Sequence, residues 1–115
     1  MIYRATDDGP LTSIAVQRGR IVIDLRFDLP GCSTKLHAHT FDHMMTCLSG
    51  AARVSIDDES RTMVAGDTYL VAAHKQHAIV PLSIETVLQC VHENPDIDER
   101  GLEGIPLEWL RRLTE

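Results

Sequence analysis

Apolar and polar positions alternate along most of this chain. Ile21, Ile23, Leu25, Phe27 and Leu29 alternate with Val22, Asp24, Arg26 and Asp28. Successive side chains on a strand point to opposite faces, so 21–29 predicts a half-buried strand with its odd positions inward. Gly19 predicts a hairpin with 12–18, and Pro30-Gly31 ends the strand. A second alternation sets Ala52, Val54 and Ile56 against Arg53, Ser55 and Asp57. It runs into the polar turn 57–60 and then a strand around 61–64, with Gly66-Asp67 as the next turn. The run 43–49 and the segments 68–72, 77–81 and 84–92 complete the strand pattern. Helical spacing is confined to the stretch after Pro106, where Leu107, Leu110 and Leu113 share a face beside Trp109. About nine short strands with one terminal helix predict a single all-β domain over 1–115, a barrel or sandwich. Closure into a barrel also removes exposed strand edges.

Length and composition narrow the function classes. A chain of 115 residues fits one domain and can bury over ~60% of its unfolded surface. The net charge of −6 and the scattered Lys and Arg argue against nucleic-acid binding, which needs a basic face. There is no basic amphipathic helix for a membrane surface. Cys32, Cys47 and Cys90 are odd in number and widely spaced, with no Cys-x-x-Cys pair for a zinc finger or a redox motif. Free thiols suit a reducing compartment. The N-terminus lacks the positive start and apolar run of a signal peptide, so a cytoplasmic location is the expectation.

Candidate chemistry gathers on histidine. His37, His39 and His43 fall within one short stretch, and His77 lies downstream. Imidazole is the commonest protein metal ligand. On a strand, His37 and His39 would share a face, and Thr40-Phe41-Asp42 would turn the chain into the run starting at His43. If His43 faces inward, so do Met45 and Cys47. Several uncharged imidazoles inside a small barrel carry polar nitrogens that cost free energy when unpaired, and a shared cation satisfies them together.

These residues carry a family resemblance. The stretch Gly31, five residues, His37-x-His39, three residues, His43, six residues, Gly50 resembles the first motif of the cupin superfamily. One letter differs, because His43 stands where that motif usually has Glu. The second cupin motif is matched at Gly66 and His77, while Ala72, His74 and Pro81 replace its usual Pro, Gly and Asn. The resemblance implies a cupin-type jelly-roll barrel in which His37, His39, His43 and His77 bind one divalent transition metal. Iron, zinc, nickel, manganese and copper all remain open. It further implies a small-molecule ligand or substrate, and a homodimer paired through strand edges. The expected activity is a dioxygenase, lyase or isomerase step on a small oxygenated compound. The alternatives are a non-catalytic binding or sensing module and a metal-stabilised structural protein.

The change from Glu to His at position 43 leaves a doubly charged cation with neutral ligands, which strengthens its pull on an anionic oxygen. It also removes a possible general base. On an octahedral metal four imidazoles leave two positions open; on a tetrahedral zinc they close the shell. Around this set, Lys35 reads as a solvated strand end, His74 as a loop histidine and Tyr69 as packing. Cys47 and Met45 read as pocket lining. Cys90 and His92 share a face of the last strand that the pattern alone does not orient. Catalytic residues are not assigned.

Overall fold

The computed structural model describes residues 2–4, 6–17 and 19–93. Nine strands follow in chain order: β1 (Ile2–Arg4), β2 (Leu11–Gln17), β3 (Arg20–Phe27), β4 (His43–Ser49), β5 (Ala51–Ile56), β6 (Glu59–Val64), β7 (Thr68–Val71), β8 (His77–Pro81) and β9 (Thr86–Glu93). All pair antiparallel, in a six-stranded sheet ordered β1-β2-β3-β9-β4-β7 and a three-stranded sheet ordered β6-β5-β8. This is the all-β architecture that the alternation predicts, in the jelly-roll form that the cupin resemblance implies. The described residues include no helix; the helix expected at 107–113 lies outside them.

The core lies between the sheets. Ile14, Ile21, Ile23, Leu25, Phe27, Met45, Cys47, Val71 and Leu88 enter it from the larger sheet, and Ala52, Val54, Met63 and Ile79 from the smaller. Each such fully buried large aliphatic side chain contributes about 1.5–3 kcal/mol. The period of two holds on β3 and β5, because one face of each strand is covered and the other is not.

The strand expected at 21–29 is shorter than its alternation. Leu29 is 48% exposed, and β3 stops at Phe27. Asp28 leaves the ladder to accept from both terminal guanidinium nitrogens of Arg4, at 3.0 and 2.8 Å, and the Cys32 amide donates to the Leu29 carbonyl to close a turn. Arg4 belongs to β1, a three-residue strand too short to show a period. Its pairing with β2 and the Arg4 fork on Asp28, with a further bond to the Gly9 carbonyl at 2.6 Å, hold it in place.

Candidate metal centre

The segment 28–42 joins β3 to β4 and carries two of the histidines. The expected strand at His37-x-His39 is not formed. The backbone there is irregular apart from one isolated bridge, between His37 and His77. The His37 amide donates to the His77 carbonyl at 3.1 Å, and the His77 amide donates back to the His37 carbonyl at 2.8 Å. Thr34 adds a second tie, its amide donating to the Ile79 carbonyl at 3.0 Å and its hydroxyl accepting from the Ile79 amide at 2.8 Å. The loop therefore lies along the free edge of β8 and does for that edge what another strand would do.

The turn before β8 locks the same loop from the other side. The His74 amide donates to the His39 carbonyl at 2.7 Å, and the Ala73 amide donates to the Asp42 carboxylate at 2.7 Å. His74 adopts a φ of 67°, the left-handed region that favours glycine. It stands where the second cupin motif has Gly, so the loop keeps the glycine conformation without the glycine. The side chain of His74 is exposed and takes no part in the centre.

These ties bring the distant stretches together. One ligand-capable ring nitrogen from each of His37, His39 and His77 falls within 4.8 Å of the others. His43, at the start of β4, stands just outside that trio; its ring centroid is 5.0 Å from His77 and 5.4 Å from His39. His37 and His77 are also pre-oriented. Nδ1 of His37 lies 2.6 Å from the Lys35 carbonyl, and Nδ1 of His77 lies 3.1 Å from the Lys75 carbonyl. A carbonyl only accepts, so each Nδ1 carries a proton, and in the neutral ring Nε2 is left to present a lone pair. This is the arrangement that fixes tautomer and ring orientation in metal-ligating histidines. His43 Nδ1 is buried with no hydrogen-bond partner among the described residues.

Electrostatics favour neutral, unprotonated imidazoles. Burial, then the neighbouring His77 and His39 imidazoles, lowers the His43 pKa to about 3. Burial also lowers His77 against the opposing pull of the Lys75 carbonyl, and it lowers His92. Such imidazoles are uncharged at neutral pH, the form a metal needs. Burial pushes the Cys90 thiol up to about 12 and raises Cys47 as well, so neither offers a thiolate.

The rings border a cavity of about 20 Å³, room for one water-sized body. Met45 lines it as expected, whereas Cys47 does not; its thiol points to the Ser49 carbonyl at 3.4 Å. Three further residues line it that the sequence pattern does not assign: Phe41, Cys90 and His92. Phe41 stacks on His39 at 4.8 Å and on His92 at 3.9 Å between centroids. Cys90 and His92 face inward because β9 pairs with β3 in the register Ile23↔Cys90 and Ile21↔His92. Only that register orients the face. Lys35 and Tyr69 are absent from the cavity; the Lys35 side chain is exposed, and Tyr69 packs on the core under Arg61.

Comparison with known proteins agrees with this architecture. The family model for the cupin domain matches residues 28–88, the span that holds all four expected ligands. The chain belongs to the cupin family. A conserved Streptococcus pyogenes protein of unknown function shares 27% identity, with a TM-score of 0.65 over 80% of each chain. KdgF from Halomonas sp. is 22% identical, with a TM-score of 0.71 over 87% of this chain and 92% of its own. A variant of Bacillus subtilis oxalate decarboxylase is 20% identical, with a TM-score of 0.69 over 86% of this chain and 29% of its own. The last two likenesses concern fold alone. No protein of curated function matches the chain. Among the described residues of this cupin, no helix is long and apolar enough to cross a membrane.

Proposed function

We propose that this cupin binds one divalent transition metal through His37, His39 and His77, with His43 as the fourth ligand. The observation that carries this reading is the pair of Nδ1 anchors on His37 and His77. Two backbone carbonyls, each two residues upstream, turn two imidazoles from separate stretches toward one point. The orphaned Nδ1 of buried His43 marks a fourth polar group in need of a partner. An all-nitrogen donor set suits iron, nickel, copper or zinc, and manganese less well.

The metal would supply Lewis acidity toward an oxygen of a small organic ligand, and we infer a small enzyme of dioxygenase, lyase or isomerase type. One observation favours the non-catalytic binding module instead. Among the described residues no carboxylate lines the inner cavity, since His43 replaces the motif Glu, and so no acidic general base from them faces into it. By the family resemblance we also infer a homodimer, which light scattering reads directly.

Elemental analysis of freshly purified protein tests the metal. One equivalent of a transition metal, lost in the variants H37A and H77A, is the expected result; a metal-free protein that ignores added Fe(II), Co(II) and Zn(II) overturns it. Oxygen uptake by the anaerobically iron-loaded protein, with candidate oxygenated acids, then separates enzyme from binder.

A further inference from the structure

His92 is a buried imidazole outside the proposed metal set. It is 4% exposed, and neither Nδ1 nor Nε2 has a hydrogen-bond partner among the described residues. A buried neutral imidazole carries one donor and one acceptor, and leaving both unmade is costly. Its ring is held flat by Phe41, 3.9 Å away at 19°, so it is positioned by packing and not by polar contacts. It lines the same cavity as His37, His39, His43 and His77. Together with Phe41 and His43 it also borders a wider depression of about 540 Å³ on the outer side. The remaining cavity walls are apolar, formed by residues such as Ile23, Leu25, Met45 and Ile79. Besides the proposed ligands, a group seated at the metal therefore meets two side chains among the described residues that can donate, the Cys90 thiol, a weak donor, and His92, the one with an N–H.

We propose that His92 is a ligand-binding residue, whose ring N–H donates a hydrogen bond to a compact anionic or carbonyl oxygen group held at the metal. The proposal rests on the metal reading above. Two features select the ligand class. The inner cavity of about 20 Å³ has room for the cation and little more, so only a coordinating atom or two of the ligand reach it and a polyhydroxylated ring stays in the wider depression that His92 also borders. The described residues of the inner wall offer neither a guanidinium nor a carboxylate, so recognition of the ligand falls to the cation and the His92 N–H, with the Cys90 thiol a much weaker donor. Phe41 fixes the plane of the His92 ring, so its N–H points within that plane.

The test uses the Co(II)-loaded full chain, with azide as the probe anion and the visible Co(II) spectrum as the readout. Compared with wild type, H92L keeps Co(II) affinity within about threefold but loses azide affinity by about tenfold or more, the effect of one missing hydrogen bond to a charged ligand. H92Q, which retains a donor, stays within about threefold for both. Unchanged azide affinity in H92L overturns the assignment. So does loss of Co(II) from H92L, which would make His92 a metal ligand, and so does an H92Q as weak as H92L, which would make its role one of shape. A wild-type chain that takes up no Co(II) overturns the metal reading and this one together, a result distinct from the other three.

Discussion

His37 and His77 exchange two backbone hydrogen bonds across 40 residues of chain, at 3.1 and 2.8 Å. Directly paired residues on an antiparallel ladder place their side chains on the same side. The bridge thus sets the two imidazoles next to each other, 4.2 Å between centroids, before any cation arrives. A centre prepared in this way loses little freedom when it binds. Metal binding should appear as stability. With free metal at ~100 times its Kd, the unfolding free energy rises by about 2.7 kcal/mol. His37 is only half-buried, so H37A should leave the metal-free protein within about 1 kcal/mol of wild type while abolishing the metal-induced rise. Melting curves with zinc and with a chelator read both quantities. An H37A protein that still gains the full increment would remove His37 from the centre.

The metal-free protein should be acid-sensitive well above the carboxylate range. His43, His77 and His92 all bind protons more weakly when folded, chiefly through burial. Below the free value of 6.5 the unfolded chain holds more protons than the folded one, so unfolding free energy falls as pH falls. For His43 the loss continues down to about pH 3. Chelator-treated protein melted at pH 7.5, 6, 5 and 4 should therefore show a steady decline of Tm beginning near pH 6.5, and H43L should flatten it. A flat profile from pH 7.5 to 5 would show that these imidazoles are open to water.

The loop before β8 should respond to a single glycine. His74 holds a left-handed φ of 67°, a conformation that costs a non-glycine residue about 1 kcal/mol or more. Its exposed side chain gives nothing back to the centre, while its amide must still reach the His39 carbonyl. H74G removes the steric cost but adds freedom to the unfolded chain. The expected balance is a gain of up to about 1 kcal/mol in urea unfolding, with metal affinity unchanged. A loss of stability would mean that the imidazole of His74 makes a contact worth more than the relief.

Some of this architecture is legible in the chain and some is not. β3 and β5 are readable because one face of each is covered and the other is not. The four histidines of the proposed centre are readable because motif spacing survives even where the local geometry differs from the expected strand: His37 and His39 converge from an irregular loop pinned to β8. β1 has three residues and no period, so the Arg4–Asp28 fork that holds it escapes pattern reading. On β9 the inward set Thr86, Leu88, Cys90 and His92 alternates with an outward set that contains Val87 and Val91. With apolar residues on both faces, parity cannot choose between them, and His92 stays unplaced until its partner Ile21 is known. Phe41 reads only as part of a turn, although its stack between two imidazoles shapes the cavity.

Gly50 separates fold from site. It turns the chain between β4 and β5 with a φ of +74°, and a Cβ there would run into the Thr86 hydroxyl, with Ser83 Oγ and the Thr86 Cα both 2.9 Å away. Thr86 is fully buried, and its hydroxyl lies 3.0 Å from the Ala51 carbonyl and 2.8 Å from that of Ser83. The obstacle is therefore backbone plus an anchored side chain, neither of which swings aside cheaply. Left-handed strain and overpacking together should make G50A about 2–4 kcal/mol less stable by urea unfolding. Gly50 lies at the far end of β4 from His43, roughly 20 Å along the strand, so zinc affinity of the folded G50A protein should match wild type. A loss under about 0.5 kcal/mol, the size of an ordinary surface substitution, would show that the β4–β5 turn yields more readily than this packing implies. Weakened zinc binding in folded G50A would show instead that the two ends of the barrel are mechanically coupled.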